Sequence, residues 1–173
     1  MRRIYIFLLV TLTAFIVSAQ EKDSEAKGFT WGGDVGTTID FSSNGMSTID
    51  ADVNLGYKNS FFRSLCVGAG LHNTLSNGDR LVPVYLLVRT SFTSKPKQLC
   101  FGEFKLGYSF NSIKNENQHG LYASAGAGFN LYSNKKFKSH ITIAYNFYKM
   151  KAFEDLKDLK NIHSVAIKVG INF

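Results

Sequence analysis

Four histidines are the residues of this sequence with the most versatile chemistry, and their spacing is not that of metal ligands. His72, His119, His140 and His163 lie far apart in the chain, and no Cys-x-x-Cys is present. Ser139 precedes His140, and a serine with a histidine base is the combination that acyl transfer uses. The pair is a generic one, with no third residue to orient it. We therefore interpret the histidines as polar groups of loops or of the protein interior, and we predict no catalytic residue, no metal and no cofactor.

A short glycine motif is the one pattern that suggests a nucleotide. Gly126-Ala127-Gly128 begins like a dinucleotide-binding fingerprint, but Leu131 occupies the position of the final glycine and no helix is predicted after it. The match fails, and it gives no reason to expect a bound nucleotide.

Charged residues of both signs recur within otherwise apolar runs, always on the polar side of an alternating pattern. Isolated burial of such groups costs several kcal/mol per ion, so enclosed charges must be paired or hydrated. We predict that one set forms an internal ion-pair network. Its members are Asp34, Asp52, Arg89, Glu103, Lys105 and Lys168.

The elements that carry these charges are runs in which apolar and polar residues alternate with period two, which indicates strands with two different faces. In the first run Phe29, Trp31 and Val35 share one face, whereas Thr30 and Asp34 lie on the other. Polar turns separate the runs, and eight are present. They cover residues 29–41, 49–57, 61–72, 82–92, 100–110, 121–131, 140–148 and 164–173.

The size of the two side-chain sets predicts which face points outward. Eight strands that close into a barrel leave an interior just wide enough for side chains. The apolar set contains large residues such as Phe104, Phe129 and Phe147, whereas the polar set contains glycine pairs such as Gly68/Gly70. We therefore predict an all-β, eight-stranded antiparallel up-and-down transmembrane barrel with its apolar face toward lipid. The alternative is a soluble exported barrel or sandwich whose apolar face encloses a small ligand.

The connections and strand ends are consistent with a membrane barrel. The second, fourth and sixth connections are expected to be short, and the others longer, which is the asymmetry of outer-membrane barrels. The three main loops are expected over Asn73 to Arg80, Asn111 to Gln118 and Lys149 to Asn161. Aromatic residues near strand ends resemble the belts found at membrane interfaces. They are Phe29, Trp31, Tyr57, Phe61, Phe92, Tyr132 and Phe147.

Two cysteines occur on strands that are not neighbours in this prediction. Cys66 lies on the third run and Cys100 on the fifth, on opposite faces, with one strand between them. A disulfide requires Cα atoms within about 7 Å. We expect two free thiols.

The amino terminus has the pattern of a secretory signal. Arg2 and Arg3 precede an apolar run from Ile4 to Val17, which is too short for a spanning helix of about 20 residues. We predict a signal peptide over residues 1–19, a short periplasmic segment over 20–28 and a single barrel domain over 29–173. Removing the signal leaves 18 basic and 13 acidic residues with no long basic block, which does not suggest a nucleic-acid partner.

The last strand carries the most specific resemblance. Val165-x-Ile167-x-Val169-x-Ile171-x-Phe173 alternates and ends on phenylalanine. With this feature the chain, over residues 29–173, resembles the OmpA/OmpX-like superfamily of small outer-membrane β-barrels. Val169, Ile171 and Phe173 look like the assembly signal that the barrel-assembly machinery recognises in that superfamily. Ser18-Ala19-Gln20 resembles the signal ending of Bacteroidetes exported proteins, which implies a Bacteroidetes-type barrel domain. The resemblance does not extend to the peptidoglycan-binding domain of the larger members of that superfamily, so it does not imply a role in tethering the cell wall.

These observations predict a non-enzymatic protein of the cell outer membrane, with an envelope-structural role or a surface-interaction role through its external loops. Its expected partners are outer-membrane lipid and lipopolysaccharide, the barrel-assembly machinery, and a surface ligand bound by the loops. Two alternatives within the same fold are a narrow, porin-like channel affected by Arg89 and Glu103, and a lipid-modifying enzyme that depends on His140.

Overall fold

Eight antiparallel strands close into a barrel in which every strand pairs with its sequence neighbours and the last strand pairs with the first. The computed structural model describes residues 28–42, 45–58, 63–76, 78–91, 99–113, 116–133, 137–149 and 161–173. The predicted all-β, eight-stranded up-and-down barrel is confirmed. The strands are β1 (Gly28–Asp40), β2 (Thr48–Lys58), β3 (Ser64–Thr74), β4 (Arg80–Ser91), β5 (Cys100–Ile113), β6 (Glu116–Ser133), β7 (Lys138–Tyr148) and β8 (Ile162–Asn172).

The stagger of the barrel follows from one row of paired residues. From Thr30 the row passes through Gly56, Cys66, Leu87, Lys105, Ser124, Asn146 and Ser164. It meets β1 again at Asp40, ten residues beyond its start. Such a shear tilts the strands by roughly 35–45° to the barrel axis and fixes the barrel width.

In most strands the apolar face points outward and the polar face points inward, as the sizes of the two side-chain sets predict; in β4 the inward residues Leu81, Tyr85 and Leu87 are also apolar. Phe104, Phe129 and Ile143 are 45%, 54% and 55% exposed. Asp34 and Lys105, on the opposite faces of their strands, are 3% and 2% exposed. This polarity is the reverse of that of a soluble barrel with an apolar interior.

The predicted alternation of short and long connections is wrong. We call the end that carries the start of β1 and the end of β8 the terminal end, and the other the distal end. The fifth connection, which is distal, has only residues 114–115, whereas the fourth, at the terminal end, spans the eight residues 92–99.

The same correction applies to the predicted loop Asn111 to Gln118, most of which is strand. Asn111 pairs with Gln118 and Ile113 with Glu116, so the β5–β6 ladder continues almost to the hairpin tip. Polar residues do not end a strand when their backbone groups still have a partner strand. Asn111, Ile113 and Gln118 are buried.

Glycines on the inner face lie under large inward side chains. The Tyr85 ring covers Gly68, where an added Cβ would come within 2.5 Å of ring atom Cε2. Gly128 meets the Phe101 ring in the same way, with ring atom Cε1 at 2.6 Å from an added Cβ. The glycines therefore allow aromatic rings into a narrow interior, and the inward side chains are less uniformly small than the sequence predicts.

In the described part of the chain, no helix is long and apolar enough to cross a membrane. The predicted signal peptide, Phe61, Phe92 and residues 150–160 of the last loop lie outside the described residues.

Candidate functional site: the charged interior

The first part of the interior network joins side chains from five strands. Arg89 on β4 donates from Nε to Glu103 Oε2 at 2.6 Å. Arg89 Nη2 lies 3.2 Å from Asp34 Oδ2. His140 Nε2 is 2.6 Å from the other Asp34 oxygen, Oδ1. Asn172 Nδ2 lies 3.3 Å from His140 Nδ1. These contacts link β1, β4, β5, β7 and β8 across the terminal half of the barrel.

The second part of the network continues from Glu103 toward the distal end. Lys105 Nζ is 3.2 Å from Glu103 Oε1 and 3.6 Å from Asp52 Oδ2. Lys168 Nζ then bridges Asp52 Oδ2 at 2.6 Å and Asp50 Oδ2 at 3.0 Å. A single connected series of ion pairs therefore runs from β1 and β4 to β2 and β8.

The distal part of the network is built from an imidazole and hydroxyl groups. His72 Nε2 is 3.2 Å from Asp52 Oδ1, and His72 Nδ1 is 2.6 Å from the Tyr148 hydroxyl. Thr38 and Thr48 each donate a hydroxyl to Asp50, at 2.5 Å. Asp50 and Asp52 therefore have hydrogen-bond partners from the described residues in addition to their ion pairs.

All six residues that the sequence analysis assigned to an interior network lie inside the barrel, and the structure connects them to one another. Asp34, Asp52, Arg89, Glu103, Lys105 and Lys168 are between 2% and 6% exposed. Strand alternation puts each of these residues on the inner face. Because the strands are staggered by the shear, residues at different positions along their strands come into contact.

Three members of the network were missed as members. The alternation along their strands predicts that Asp50, His72 and His140 lie on the inner face, but no sequence pattern shows that they would meet Asp52 or Asp34. The only signal in the sequence is the alternation along each strand: Asp50 stands two residues from Asp52, His72 stands two residues from Gly70, and His140 alternates with Thr142 and Asn146. The alternation along a strand determines which face a residue lies on. Its neighbours on other strands depend on the shear of the barrel, which the sequence does not reveal.

The charges in this network are almost balanced. Four carboxylates, those of Asp34, Asp50, Asp52 and Glu103, face three cations, those of Arg89, Lys105 and Lys168. Three of the carboxylates also contact a histidine: Asp50 and Asp52 contact His72, and Asp34 contacts His140. Removing an ion from water costs several kcal/mol, and only this mutual pairing offsets the cost. The network therefore depends on its members being present together.

The distal side of the network is covered by aromatic and aliphatic side chains. The rings of Tyr122 and Tyr148 lie 4.8 Å apart, and that of Tyr85 lies 5.8 Å from Tyr122. Beyond them lies a group of buried apolar residues, 0% to 4% exposed. Its members are Met46, Leu81, Ile113 and Ile162.

The terminal side is covered by Phe101 and two arginines. Arg63 lies over one face of the Phe101 ring at 5.0 Å, and the Arg89 guanidinium is 5.4 Å from the same ring. Arg63 also donates to Asn130 Oδ1 at 3.1 Å, so it reaches from the first terminal-end connection to β6. Described side chains therefore cover the network on both its distal and its terminal side.

The Ser139 and His140 side chains point to opposite faces of β7. His140 is fully buried and contacts Asp34 and Asn172, whereas Ser139 is half-buried and lies on the outer side of the strand. The structure does not bring them together as a nucleophile and its base. No group of three or more His, Cys, Asp and Glu side chains within the described ranges could hold a metal ion.

Both cysteines are free, as predicted. Cys66 is buried on the inner face of β3 and Cys100 is half-buried on β5.

The last strand closes the barrel against the first. The Phe173 amide donates to the Trp31 carbonyl at 2.8 Å, and Thr30 Oγ1 donates to the Phe173 carbonyl at 2.7 Å. The Phe173 and Trp31 rings stack with centroids 4.3 Å apart. Val169 and Ile171 face outward, 49% and 44% exposed. Phe173 thus holds the seam between β8 and β1.

Fold and interior together define a closed eight-stranded barrel with an apolar exterior and an ion-paired, filled centre. No protein-family model matches the sequence, and no curated protein matches it. Among solved structures, the N-terminal beta-barrel domain of Pseudomonas aeruginosa OprF is similar to this chain. The similarity covers 83% of this chain and 97% of that one, with 14% identity and a TM-score of 0.49.

Proposed function

We propose that this protein is a non-enzymatic barrel of a bacterial outer membrane. The observation that carries the proposal is the polarity of the wall. Val35, Val53, Leu55 and Leu86 on the outer face are between 56% and 65% exposed, while the charged residues of the network are inside. Exposing such a continuous apolar surface to water is unfavourable, whereas lipid tails accept it.

The strand lengths suit the same role. The shortest strands have 11 residues, and a tilted strand of about 9–11 residues crosses the hydrocarbon layer. Trp31, Tyr57, Tyr132 and Phe173 cluster at the terminal end with exposed rings, as expected of an interfacial belt. We assign the terminal end to the periplasm and the distal end to the cell surface, because an even strand number puts both termini on the periplasmic side.

The filled interior favours an anchoring role over transport. An eight-stranded barrel holds side chains rather than a wide water column, and here tyrosines and aliphatic residues cover the ion pairs. The distal connections are then the part of the chain free to meet a surface ligand or lipopolysaccharide. The role we propose is envelope support or surface interaction, and the barrel-assembly machinery is the proposed partner during insertion.

Cell fractionation followed by electrophoresis with and without heating tests this proposal. We expect the protein in the outer-membrane fraction and a change of mobility on heating, because a folded barrel resists the detergent. Recovery as a soluble periplasmic species whose mobility does not change on heating contradicts it.

Two further measurements separate the proposed role from its alternatives. In planar bilayers we expect no single-channel currents, and regular currents altered by Arg89→Ala would support a narrow channel instead. Lipid analysis of producing cells should show no change in lipid A or phospholipid acylation, with or without His140→Ala. A change in acylation lost in that variant would support a lipid-modifying enzyme.

A further inference from the structure

The outer face carries two hydrogen-bonded tyrosine–histidine pairs of the same construction. The Tyr108 hydroxyl on β5 is hydrogen-bonded to Nδ1 of His119 on β6. The Tyr145 hydroxyl on β7 lies 2.6 Å from Nδ1 of His163 on β8. In each pair the tyrosine is about 40% exposed, and the histidine is half-exposed on the outside of the barrel.

The strand register shows that the two pairs are repeats of one module. Phe110 lies directly opposite His119, and Tyr108 lies opposite Leu121. In the second hairpin Phe147 lies opposite His163 and Tyr145 opposite Val165. Both modules therefore consist of Tyr-x-Phe on one strand and His-x-(Leu or Val) on the next, with a diagonal contact from tyrosine to histidine.

Each of the two histidines contacts aromatic rings. The Phe147 ring lies 5.1 Å from His163, and the Phe41 ring lies 6.5 Å from it. In the first module the Phe110 ring lies 5.5 Å from Tyr108, and the Tyr108 and His119 rings stack at 5.6 Å. His119 and His163 both lie near the distal starts of their strands, so the modules share one level of the barrel.

The outer histidines differ from the two inside the barrel in what they contact. His72 and His140 contact carboxylates. His119 and His163 instead contact a tyrosine hydroxyl at Nδ1 and neighbouring aromatic rings. When the hydroxyl donates to Nδ1, the hydrogen of the neutral imidazole lies on Nε2. This leaves one N–H donor per module that points away from the pair.

Such a donor cannot lie among lipid tails without cost, because an unsatisfied polar group in hydrocarbon costs several kcal/mol. Tyrosine side chains lie at the membrane–water interface for the same reason, because the ring is apolar and the hydroxyl group is hydrated. The level that provides acceptors is that of the phosphate and ester oxygens of the lipid headgroups.

We infer that the two modules are a pair of headgroup-binding sites in the distal leaflet, at which Nε2 of His119 and His163 donates to lipid phosphate or ester oxygens. This inference rests on the proposed membrane location. It identifies His119 and His163 as residues that fix the depth of the barrel in the membrane. The modules also mark where the hydrocarbon layer ends at the distal side, as Trp31 and Phe173 do at the other.

Nuclear magnetic resonance of the refolded full-length barrel, labelled with ¹⁵N-histidine in phospholipid vesicles, tests the inference. Vesicles carry a nitroxide either on the headgroup or near the end of an acyl chain. We expect the headgroup label to broaden the ring signals of His119 and His163 several-fold more than the chain-end label does. His72 and His140 are internal controls: because they lie inside the barrel, the headgroup label should broaden them less than it broadens His119 and His163.

The outcomes separate the inference from the proposed function. Stronger broadening of the outer histidines by the chain-end label overturns the headgroup sites while the membrane barrel stands. No broadening by either label overturns both. Tyr108→Phe and Tyr145→Phe provide a second readout, because each should shift the Nδ1 resonance of its own partner and leave that of the other histidine unchanged. An unchanged Nδ1 resonance in both variants also contradicts the paired donors on which the inference depends.

Discussion

Removing Arg89 is the sharpest perturbation of the interior network, because its guanidinium contacts two carboxylates on two other strands. In Arg89→Met, Glu103 keeps only Lys105 at 3.2 Å and Asp34 keeps His140 at 2.6 Å among the described residues of the network. Breaking a buried ion pair by removing one partner costs about 3–5 kcal/mol, since the other charge remains enclosed. We expect the free energy of unfolding to fall by about that amount.

The assay is equilibrium urea unfolding in phospholipid vesicles, followed by the fluorescence of Trp31, the single tryptophan of the sequence. Val88→Ala is the matched control, because it removes two outward methyl groups from the preceding position on the same strand and should cost about 1 kcal/mol. A triple variant with Arg89→Met, Asp34→Asn and Glu103→Gln should recover most of the lost stability, since no unpaired charge remains. An Arg89→Met barrel as stable as the Val88→Ala control would refute the reasoning.

Three further predictions concern packing, seam closure and conduction. Gly128→Val should prevent folding, because the valine side chain would clash with the Phe101 ring. The measurement is loss of the heat-dependent gel shift. The control variant Ala127→Val, on the outer face, should fold normally. Phe173→Ala should slow refolding into vesicles more than Phe129→Ala does, because only Phe173 stacks on Trp31 at the seam; equal rates would show that the stacking has no role. The wild-type barrel should give no single-channel currents in planar bilayers, and stepwise currents would contradict a filled interior.

Much of the fold could be predicted because a barrel wall has a period of two. In β6 the alternation of Leu121, Ala123 and Ala125 against Tyr122 and Ser124 fixes the faces without reference to any other strand. Face assignment alone put Asp34, Arg89 and Lys168 in the interior. The size of the apolar residues then gave the outward direction, because eight strands cannot enclose them.

The contacts within the interior could not be predicted, because they depend on the shear. Asp52 and Lys168 are 116 residues apart in the chain and meet only because the barrel closes with a ten-residue stagger. The connection lengths were misjudged for a related reason. The polar stretch at Asn111 to Gln118 has the composition of a loop, yet its backbone hydrogen bonds to its own hairpin partner.

The tyrosine–histidine modules show a third limit. Tyr108-x-Phe110 and Tyr145-x-Phe147 are visible as repeats in the sequence, and so are the two His-x-aliphatic segments. Their diagonal contacts depend on register, which is fixed by hairpin tips of different lengths. Only the paired strands show that each tyrosine reaches its histidine.

The central claim is that the outer wall meets lipid tails. It is tested most directly by moving the single tryptophan to the middle of that wall, in a Trp31→Phe, Phe104→Trp variant refolded in vesicles whose lipids are brominated near the chain ends. We expect strong quenching of the new tryptophan, weaker quenching of the native Trp31 near the terminal rim, and little quenching of either by aqueous acrylamide. A tryptophan at position 104 that acrylamide quenches freely and brominated lipid does not would contradict it.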